Sequence, residues 1–239
     1  MIAKPGVFIT GTDTGVGKTL LTAALCAAFR AEGLHIGVWK PVQSGARLGS
    51  GLTDGERLLA YTGLPEWPER VAPFTFEAPL TPMLAAKQAG VSLTLQEIVA
   101  AGQPLIQSYD GLLVEGAGGV AVPLTEDTLI ADFIAELRLP AVLIARSGLG
   151  TINLTLLTAA YLRQHGIPIL GVILNDGEGA AGQVDASVES NAALIEQYGQ
   201  LSVLGRFPRI DGEVTAQTLV PLVCANIQLA PIRDALFGR

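Results

Sequence analysis

The sequence predicts an α/β fold in which helices cover both faces of a mainly parallel β-sheet. Apolar runs that suit strands alternate with helical patterns along nearly the whole chain, and this order is typical of a parallel sheet. The composition agrees, because 49% of the residues are hydrophobic but only 5% are aromatic, as expected for helices that cover a buried sheet. No repeat or low-complexity linker divides the 239 residues, so we expect residues 1–239 to form a single domain.

Local patterning places each element. Strands are predicted in short apolar runs, at residues 7–10, 36–40, 111–115, 140–145, 169–175 and 203–205. Helices are predicted where apolar residues recur at helical spacing, at residues 18–32, 55–62, 83–89, 94–108, 127–138, 151–165 and 185–198. Residues 65–82 contain five prolines and should be loosely structured, with at most a short edge strand at 74–76. Residues 219–237 form a weakly patterned tail.

Charge and composition argue against several functional classes. The net charge is −7, so a broad nucleic-acid interface is not expected. No apolar run approaches the roughly 18–20 residues that a membrane span needs, and the N-terminus has no signal-peptide pattern. Cys26 and Cys224 lie in apolar helical stretches and are interpreted as free core thiols. We therefore expect a cytoplasmic protein.

The strongest motif is a glycine-rich loop between the first strand and the first helix. It reads Gly11-Thr12-Asp13-Thr14-Gly15-Val16-Gly17-Lys18-Thr19. A strand, a glycine-rich turn and a helix that begins with Gly-Lys-Thr predict a phosphate-binding loop, in which Lys18 contacts the outer phosphates and the Thr19 hydroxyl faces Mg²⁺. Five residues separate Gly11 from Gly17, one more than in the general motif. The alternative is a glycine-rich turn that only joins a strand to a helix.

Polar residues also follow the other predicted strands. In a parallel sheet, ligands bind beyond the carboxyl ends of the strands, where Lys40, Glu115 and Asn175 are expected. Glu115 follows a buried apolar run and is interpreted as a ligand of Mg²⁺. Asp54 is either a metal ligand or the N-cap of the helix at 55–62, and Lys40 either serves the site or extends to solvent from a strand end. The amide of Asn175 suits adenine, although Asn-Asp-Gly is also a strong turn sequence.

Four segments together resemble the dethiobiotin synthetase family. They are the loop at 11–19, Lys40-Pro41-Val42-Gln43-Ser44-Gly45, Val114-Glu115-Gly116-Ala117-Gly118-Gly119 and Asn175-Asp176. Their order and spacing match over nearly the whole chain, and the longer loop is the form that this family uses. The resemblance implies a P-loop NTPase-like fold and a homodimeric ligase that uses ATP and Mg²⁺. Such an enzyme joins CO₂ to 7,8-diaminononanoate through a carbamate and a carbamic-phosphoric anhydride, and closes the cyclic urea of dethiobiotin.

The resemblance also implies roles for individual residues. Lys40, Lys18 and Thr14 would be catalytic, and Thr19, Asp54 and Glu115 would bind the metal. Thr14, Lys40 and Ser44 would contact the substrate, whose carboxylate would meet Gly150 and Asn153 of the partner subunit. The residues expected to bind the nucleotide and its metal are Gly15, Val16, Gly17, Lys18, Thr19, Leu20, Asp54, Glu115, Gly116, Ala117, Gly118, Asn175, Asp176, Phe207, Pro208 and Arg209.

Three other functions compete with this interpretation. Related P-loop amidoligases normally carry a glutaminase domain, for which 239 residues are expected to leave no room. Partitioning-type ATPases, which act as switches, use a second lysine early in the phosphate loop, where this chain has Thr12-Asp13-Thr14. The third alternative is a nucleotide-binding module without catalysis.

Overall fold

The main sheet has six parallel strands with helices on both faces, which confirms the predicted fold class. The structure is a computed structural model and describes residues 5–177 and 185–238. The main-sheet strands lie in the order β2-β5-β1-β6-β7-β8. All strands, including the two of a smaller sheet, are β1 (Gly6–Gly11), β2 (Ile36–Trp39), β3 (Val42–Ser44), β4 (Phe74–Phe76), β5 (Gly111–Gly119), β6 (Ala141–Arg146), β7 (Ile169–Asn175) and β8 (Val203–Phe207).

Helices connect most of these strands. In chain order they are α1 (Lys18–Ala31), α2 (Asp54–Thr62), α3 (Pro68–Val71), α4 (Pro82–Gln88), α5 (Leu95–Ala101), α6 (Gln103–Ser108), α7 (Ile130–Leu137), α8 (Thr151–Gln164), α9 (Val188–Gly199), α10 (Ala216–Asn226) and α11 (Ala230–Phe237). None of the described helices is long and apolar enough to cross a membrane.

One helical prediction was wrong, and one weakly patterned segment proved to be helical. The helix expected at 94–108 is two helices that meet at Gly102. Pro104 lies in the first turn of the second helix, where a proline fits, whereas in a helix interior it would remove a hydrogen bond. The weakly patterned tail contains α10 and α11, which bury Leu219, Val223 and Leu236. Thr94 and Glu97 form a capping box at the start of α5.

The proline-rich segment is more ordered than predicted. It contains α3 and β4, and β4 pairs in parallel with β3 in a separate two-stranded sheet. The backbone N–H of Lys40 donates a hydrogen bond to the carbonyl of Val71 at 2.8 Å. Only Lys40 and Pro41 separate β2 from β3, so the short sheet begins close to the end of β2.

The core lies on both faces of the central strands. Residues 6–11 of β1 are buried, and Phe8 and Trp39 each pack edge-to-face against Phe133, with ring centroids 5.9 Å apart. Both cysteines are free, as predicted. Cys26 is buried, and its burial raises the pKa of the thiol to about 12. Cys224 is exposed on α10, so its predicted place in the core was wrong.

Candidate nucleotide and substrate site

The loop between β1 and α1 has the backbone of a phosphate cradle. Gly15 and Gly17 have φ angles of +73° and +95°, which favour glycine. Gly17 is the N-cap of α1 and has no side chain to occupy the first N–H groups of the helix. Those groups and the positive end of the helix can therefore serve an anion. The ammonium of Lys18 donates to the carbonyl oxygen of Asp13 at 3.1 Å, so it lies across the loop.

Asn175 supports this loop from the end of β7. Its side-chain Nδ2 donates to the carbonyl oxygen of Val16 at 2.9 Å. Its Oδ1 is buried and has no hydrogen-bond partner among the described residues. The donor half of the amide is thus committed to the loop, and Oδ1 is the atom that could accept a hydrogen bond from a bound base.

Asp13 connects the loop to β6 from the outside. Its carboxylate accepts a hydrogen bond from the N–H of Thr14 at 2.7 Å and pairs with the guanidinium of Arg146 at 2.6 Å. Both side chains are about half exposed. An ion pair of this kind is worth only about 0–1 kcal/mol, so it orients the loop more than it stabilises the fold.

Lys40 is the centre of a buried charged cluster. Its Nζ lies 2.6 Å from Oε1 of Glu115, 2.8 Å from Oδ2 of Asp54 and 3.1 Å from the carbonyl oxygen of Gly116. The Lys40 side chain is 2% exposed and that of Glu115 is fully buried. The three contacts use all three ammonium protons. Lys40 therefore does not extend to solvent, and that alternative was wrong.

The topology explains the cluster. Strands β2 and β5 are neighbours, with Trp39 opposite Val114, so Lys40 and Glu115 come next to each other at the sheet edge. Thr53 is the N-cap of α2 and forms a capping box with Glu56. The alternative of Asp54 as N-cap was therefore wrong. As the first residue of the helix, Asp54 directs its carboxylate to Lys40.

The cluster alters the ionisation of its members. Burial disfavours the charged form of Lys40, but Glu115 and Asp54 outweigh it and hold the lysine pKa above its ordinary value. Burial raises the pKa of Asp54, but the contact with Lys40 outweighs this and lowers it overall. No acidic side chain among the described residues forms such an ion pair with Lys18, and burial and the charge of Lys40 lower its pKa to about 8.

The low pKa of Lys18 predicts that ATP affinity falls as the pH rises. Below about pH 8 the ammonium is already charged, whereas above it the ligand-free protein must take up a proton to bind the triphosphate. Metal-free calorimetric titration at about pH 9, in buffers that differ in ionisation enthalpy, should show this proton uptake. Lys18→Arg is the control and should show no proton uptake at position 18, because the guanidinium group stays charged. Absence of proton uptake by the unmodified chain would contradict the assignment.

The residues expected to hold Mg²⁺ suit that ion. The hydroxyl of Thr19 donates to Oε1 of Glu115 at 2.8 Å, and Oε2 of Glu115 is buried without a hydrogen-bond partner among the described residues. The described part of the chain has no group of three or more acidic, histidine or cysteine side chains that could hold a metal alone. One or two carboxylates, completed by substrate phosphates and water, are the usual protein contribution to a Mg²⁺ site.

A cleft of about 1060 Å³ brings most of the predicted site together. The predicted residues that line it are Thr14, Gly15, Gly17, Lys18, Thr19, Leu20, Lys40, Ser44, Asp54, Glu115, Ala117, Gly118, Asn175, Pro208 and Arg209. Val16 and Gly116 do not line the cleft but accept hydrogen bonds from its residues. Asp176 is engaged by Ser147 and Arg206, and Phe207 is fully buried.

Gly150 and Asn153 are not among the residues that line this cleft. They lie at the N-terminus of α8, where the N–H of Leu149 already donates to the carboxylate of Asp185 at 2.7 Å. Leu149 is 81% exposed, and Leu157 and Tyr198 on α8 and α9 are also largely exposed. The predicted carboxylate contact therefore lies outside this cleft.

Sequence reasoning missed part of the cleft wall. One side is apolar and includes Leu80, Leu84 and Val122, and α2 adds Arg57 and Tyr61. Arg57 and Tyr61 are four residues apart, so they share one face of α2, and this spacing is the signal that could have found them. The apolar residues come from segments whose contacts are set only by the tertiary fold.

A sheet of this topology, with a glycine-rich loop that leads from its central strand into a helix, defines the P-loop class of nucleotide-binding proteins. Residues 5–217 match the family model described as an AAA domain, so the chain belongs to that family. Chloroplast FtsY from Physcomitrella patens, a more distant structure, aligns with 98% of this chain and 65% of its own at 18% identity and a TM-score of 0.46.

The curated relatives indicate a narrower family than the domain model does. The ATP-dependent dethiobiotin synthetases BioD of Bacillus thuringiensis (strain Al Hakam) and Bacillus cereus (strain 03BB102) are each 40% identical to this chain over 229 residues. The matches cover 96% of this chain and 93% of each relative. The chain belongs to the dethiobiotin synthetase family, as its motifs indicated.

Proposed function

We propose that this chain is an ATP-dependent dethiobiotin synthetase, which joins CO₂ to 7,8-diaminononanoate and closes a cyclic urea with release of ADP and phosphate. The observation that carries the proposal is the position of Lys40, a buried ammonium held by two carboxylates in the same cleft as the phosphate loop. Family membership and 96% coverage by dethiobiotin synthetases support the same reaction. The cleft also has an apolar side, at Leu80, Leu84 and Val122, that suits the aliphatic chain of the diamine.

The residues would act by placement and by charge. The backbone of the loop and Lys18 hold the triphosphate. One amine of the substrate reacts with CO₂ to give a carbamate and a proton, and the carbamate oxygen then attacks the γ-phosphoryl group and displaces ADP. Lys40, with Thr14 at the mouth of the loop, stabilises the negative charge that these two anions bring together. The second amine then attacks the carbamic-phosphoric anhydride, expels phosphate and closes the ring.

Ser44 is proposed to contact the substrate. Its hydroxyl donates to the carbonyl oxygen of Leu80 at 2.6 Å, so the side chain is fixed at the cleft wall and retains lone pairs that can accept a hydrogen bond from an amine. Pro208 and Arg209 line the cleft together with Asn175, and we assign this end to adenine. The buried Oδ1 of Asn175 is the atom suited to accept from the exocyclic amino group of the base.

Mg²⁺ is proposed as the cofactor that neutralises phosphate charge when bound. Thr19, Asp54 and Glu115 would hold it, because they supply a hydroxyl and two carboxylates beside the loop. The same carboxylates hold Lys40 in place, so a substitution at either acid affects both cations.

Asp54→Asn and Glu115→Gln should each raise the Mg²⁺ concentration needed for half-maximal turnover. We expect an increase of at least about tenfold, because even outer-shell partners of metal sites contribute ten- to 100-fold. Turnover measured across a Mg²⁺ titration gives the value, and Glu69→Gln, at an exposed acid on α3, is the matched control. A variant that keeps the wild-type Mg²⁺ profile would show that its acid is not a ligand.

The reaction requires that phosphate release depend on both the diamine and bicarbonate. Phosphate should be released slowly from ATP alone and much faster when both are present. A partitioning-type switch predicts hydrolysis that the diamine leaves unchanged. Rapid phosphate release that neither substrate alters would therefore favour the switch over the synthetase.

We also propose a homodimer in which α8 of one copy completes the cleft of the other. The exposed residues Leu149, Leu157 and Tyr198 mark the face for this contact, and Gly150 and Asn153 lie outside the cleft of their own chain. The activity is assigned to the cytoplasm, where ATP is available and thiols such as Cys26 and Cys224 stay reduced. Net charge −7 gives no support for a nucleic-acid partner.

Leu157→Glu should convert the dimer to monomers and reduce activity, because it places a charge in an apolar interface. Sedimentation velocity at assay concentrations measures the first effect, and turnover measures the second. Trp67→Glu is the matched control, since Trp67 is also exposed (76%) but belongs to neither α8 nor α9 and is the N-cap of α3. An unmodified chain that is monomeric and fully active would refute the composite site.

A further inference from the structure

Gln43 is a buried amide in the wall of the cleft. It lies in β3, three residues after Lys40, and only 3% of it is exposed. Its Oε1 accepts a hydrogen bond from the backbone N–H of Gly55 at 2.8 Å, and its Nε2 donates to Oγ1 of Thr75 at 2.7 Å. Both polar atoms of the side chain are therefore occupied.

The orientation of this amide follows from its partners. The N–H of Gly55 is a donor, so it must face the oxygen of the amide. The hydroxyl of Thr75 donates its proton to the carbonyl oxygen of Ala72 at 3.0 Å, so it can only accept from Gln43. A reversed amide would put a donor against a donor and lose this network.

The hydrogen bond between Gln43 and Gly55 fixes the start of α2. The first N–H groups of an α-helix have no partner within the helix. The hydroxyl of Thr53 serves the N–H of Glu56, and Gln43 serves that of Gly55 from another element. A Cβ on Gly55 would lie 2.9 Å from that of Ala72, so the helix start is packed tightly against the segment before β4.

Asp54 immediately precedes the residue that Gln43 holds. Its carboxylate lies 2.8 Å from Nζ of Lys40, and Gln43 follows Lys40 by three residues. Gln43 therefore links the strand that follows Lys40 to the start of α2, where Asp54 contacts the same lysine. We propose that Gln43 is a positioning residue, which holds the start of α2 so that Asp54 can bind a divalent cation beside the phosphate loop.

The inference rests on the proposed role of Asp54 as a metal ligand, and binding measurements can test it without turnover. The probe is Mn²⁺ with β,γ-imido-ATP, which the protein cannot hydrolyse by the normal reaction. Affinity for the analogue without metal reports on the loop and Lys18. The factor by which Mn²⁺ strengthens binding reports on the metal ligands and is called the metal increment.

Gln43→Met keeps the length of the side chain but removes both hydrogen bonds. We expect the metal increment to fall about tenfold, as for other outer-shell partners of metal sites, while metal-free affinity stays unchanged. Thr75→Ser keeps the hydroxyl and should retain the increment. Gln96→Met, at an exposed position on α5, is the control for the substitution itself. If Gln43→Met does not fold, Thr75→Val removes the acceptor of Nε2 and should lower the increment in the same direction.

A double-mutant cycle separates positioning from general structural damage. If Gln43 acts through Asp54, Gln43→Met should cause no further loss of the increment in an Asp54→Asn background. The inference would be overturned if Gln43→Met left the metal increment unchanged. It would also be overturned if Gln43→Met lowered the increment equally in the unmodified chain and in the Asp54→Asn background. If Asp54→Asn itself leaves the increment intact, both this inference and the metal assignment fail, whereas a loss confined to Asp54→Asn overturns only the role of Gln43.

Discussion

Replacing Lys40 with glutamine should lower kcat by about 10²–10³-fold, the size of loss that follows removal of one group that stabilises transition-state charge. The carbamate and the γ-phosphoryl group are both anionic, and the ammonium offsets their repulsion most where charge is being transferred. ATP binding should be little changed, because Lys18 and the loop backbone still hold the triphosphate. Steady-state kinetics and a separate nucleotide titration measure the two effects.

The same substitution should also destabilise the fold. Lys40 is the positive partner of Glu115 and Asp54, and breaking a buried ion pair from one side costs about 3–5 kcal/mol. The thermal stability of the variant should therefore be measured together with its kinetics. Lys40→Gln/Glu115→Gln removes one excess carboxylate and should recover stability without recovering kcat. Lys87→Gln, at an exposed lysine of α4, controls for charge. A folded Lys40→Gln variant with near-normal kcat would refute the role of Lys40.

Gly17→Ala should weaken ATP binding by roughly 100-fold, since backbone strain of this kind costs about 1–3 kcal/mol and a clash adds to it. The φ angle of Gly17 is +95°, and a Cβ there would clash with Nδ2 of Asn175. The amide would have to move and release the carbonyl of Val16, which it supports. Calorimetric titration with ATP measures the loss.

Two other glycines separate the causes of this effect. Gly33 has a φ angle of +83°, and a Cβ at this position would have no atom within 4 Å. It lies after α1, at the end away from the loop, so Gly33→Ala should affect stability and spare ATP binding. Gly15 has the same open surroundings within the loop, at a φ angle of +73°, so Gly15→Ala reports strain without the clash. Equal ATP binding by Gly17→Ala and Gly33→Ala would refute the tight contact with Asn175.

Features coded by adjacent residues could be predicted from the sequence. The phosphate loop needs only a strand, a few glycines and the start of a helix in succession. Lys40 and Glu115 each end or follow an apolar run, so the parallel-sheet rule placed both at one edge. The sequence could not show that they touch each other, because that contact depends on β2 and β5 being neighbours.

Features set by distant contacts were missed. Gln43 became visible only once β3, the start of α2 and Thr75 were seen together. The helices α10 and α11 escaped detection because Pro221 lies inside one and Pro231 at the start of the other, so the apolar periodicity is interrupted. Asp54 had two equal interpretations until Thr53 was found to be the cap.

The most direct test of the proposed function is to follow the carbon of bicarbonate. The purified chain is mixed with ATP, Mg²⁺, the diamine and ¹³C-labelled bicarbonate, and the products are analysed by mass spectrometry. A cyclic urea that carries the label, formed in equal amounts with ADP and phosphate and absent when ATP is omitted, is the predicted result. ATP hydrolysis without any labelled urea would contradict the assignment.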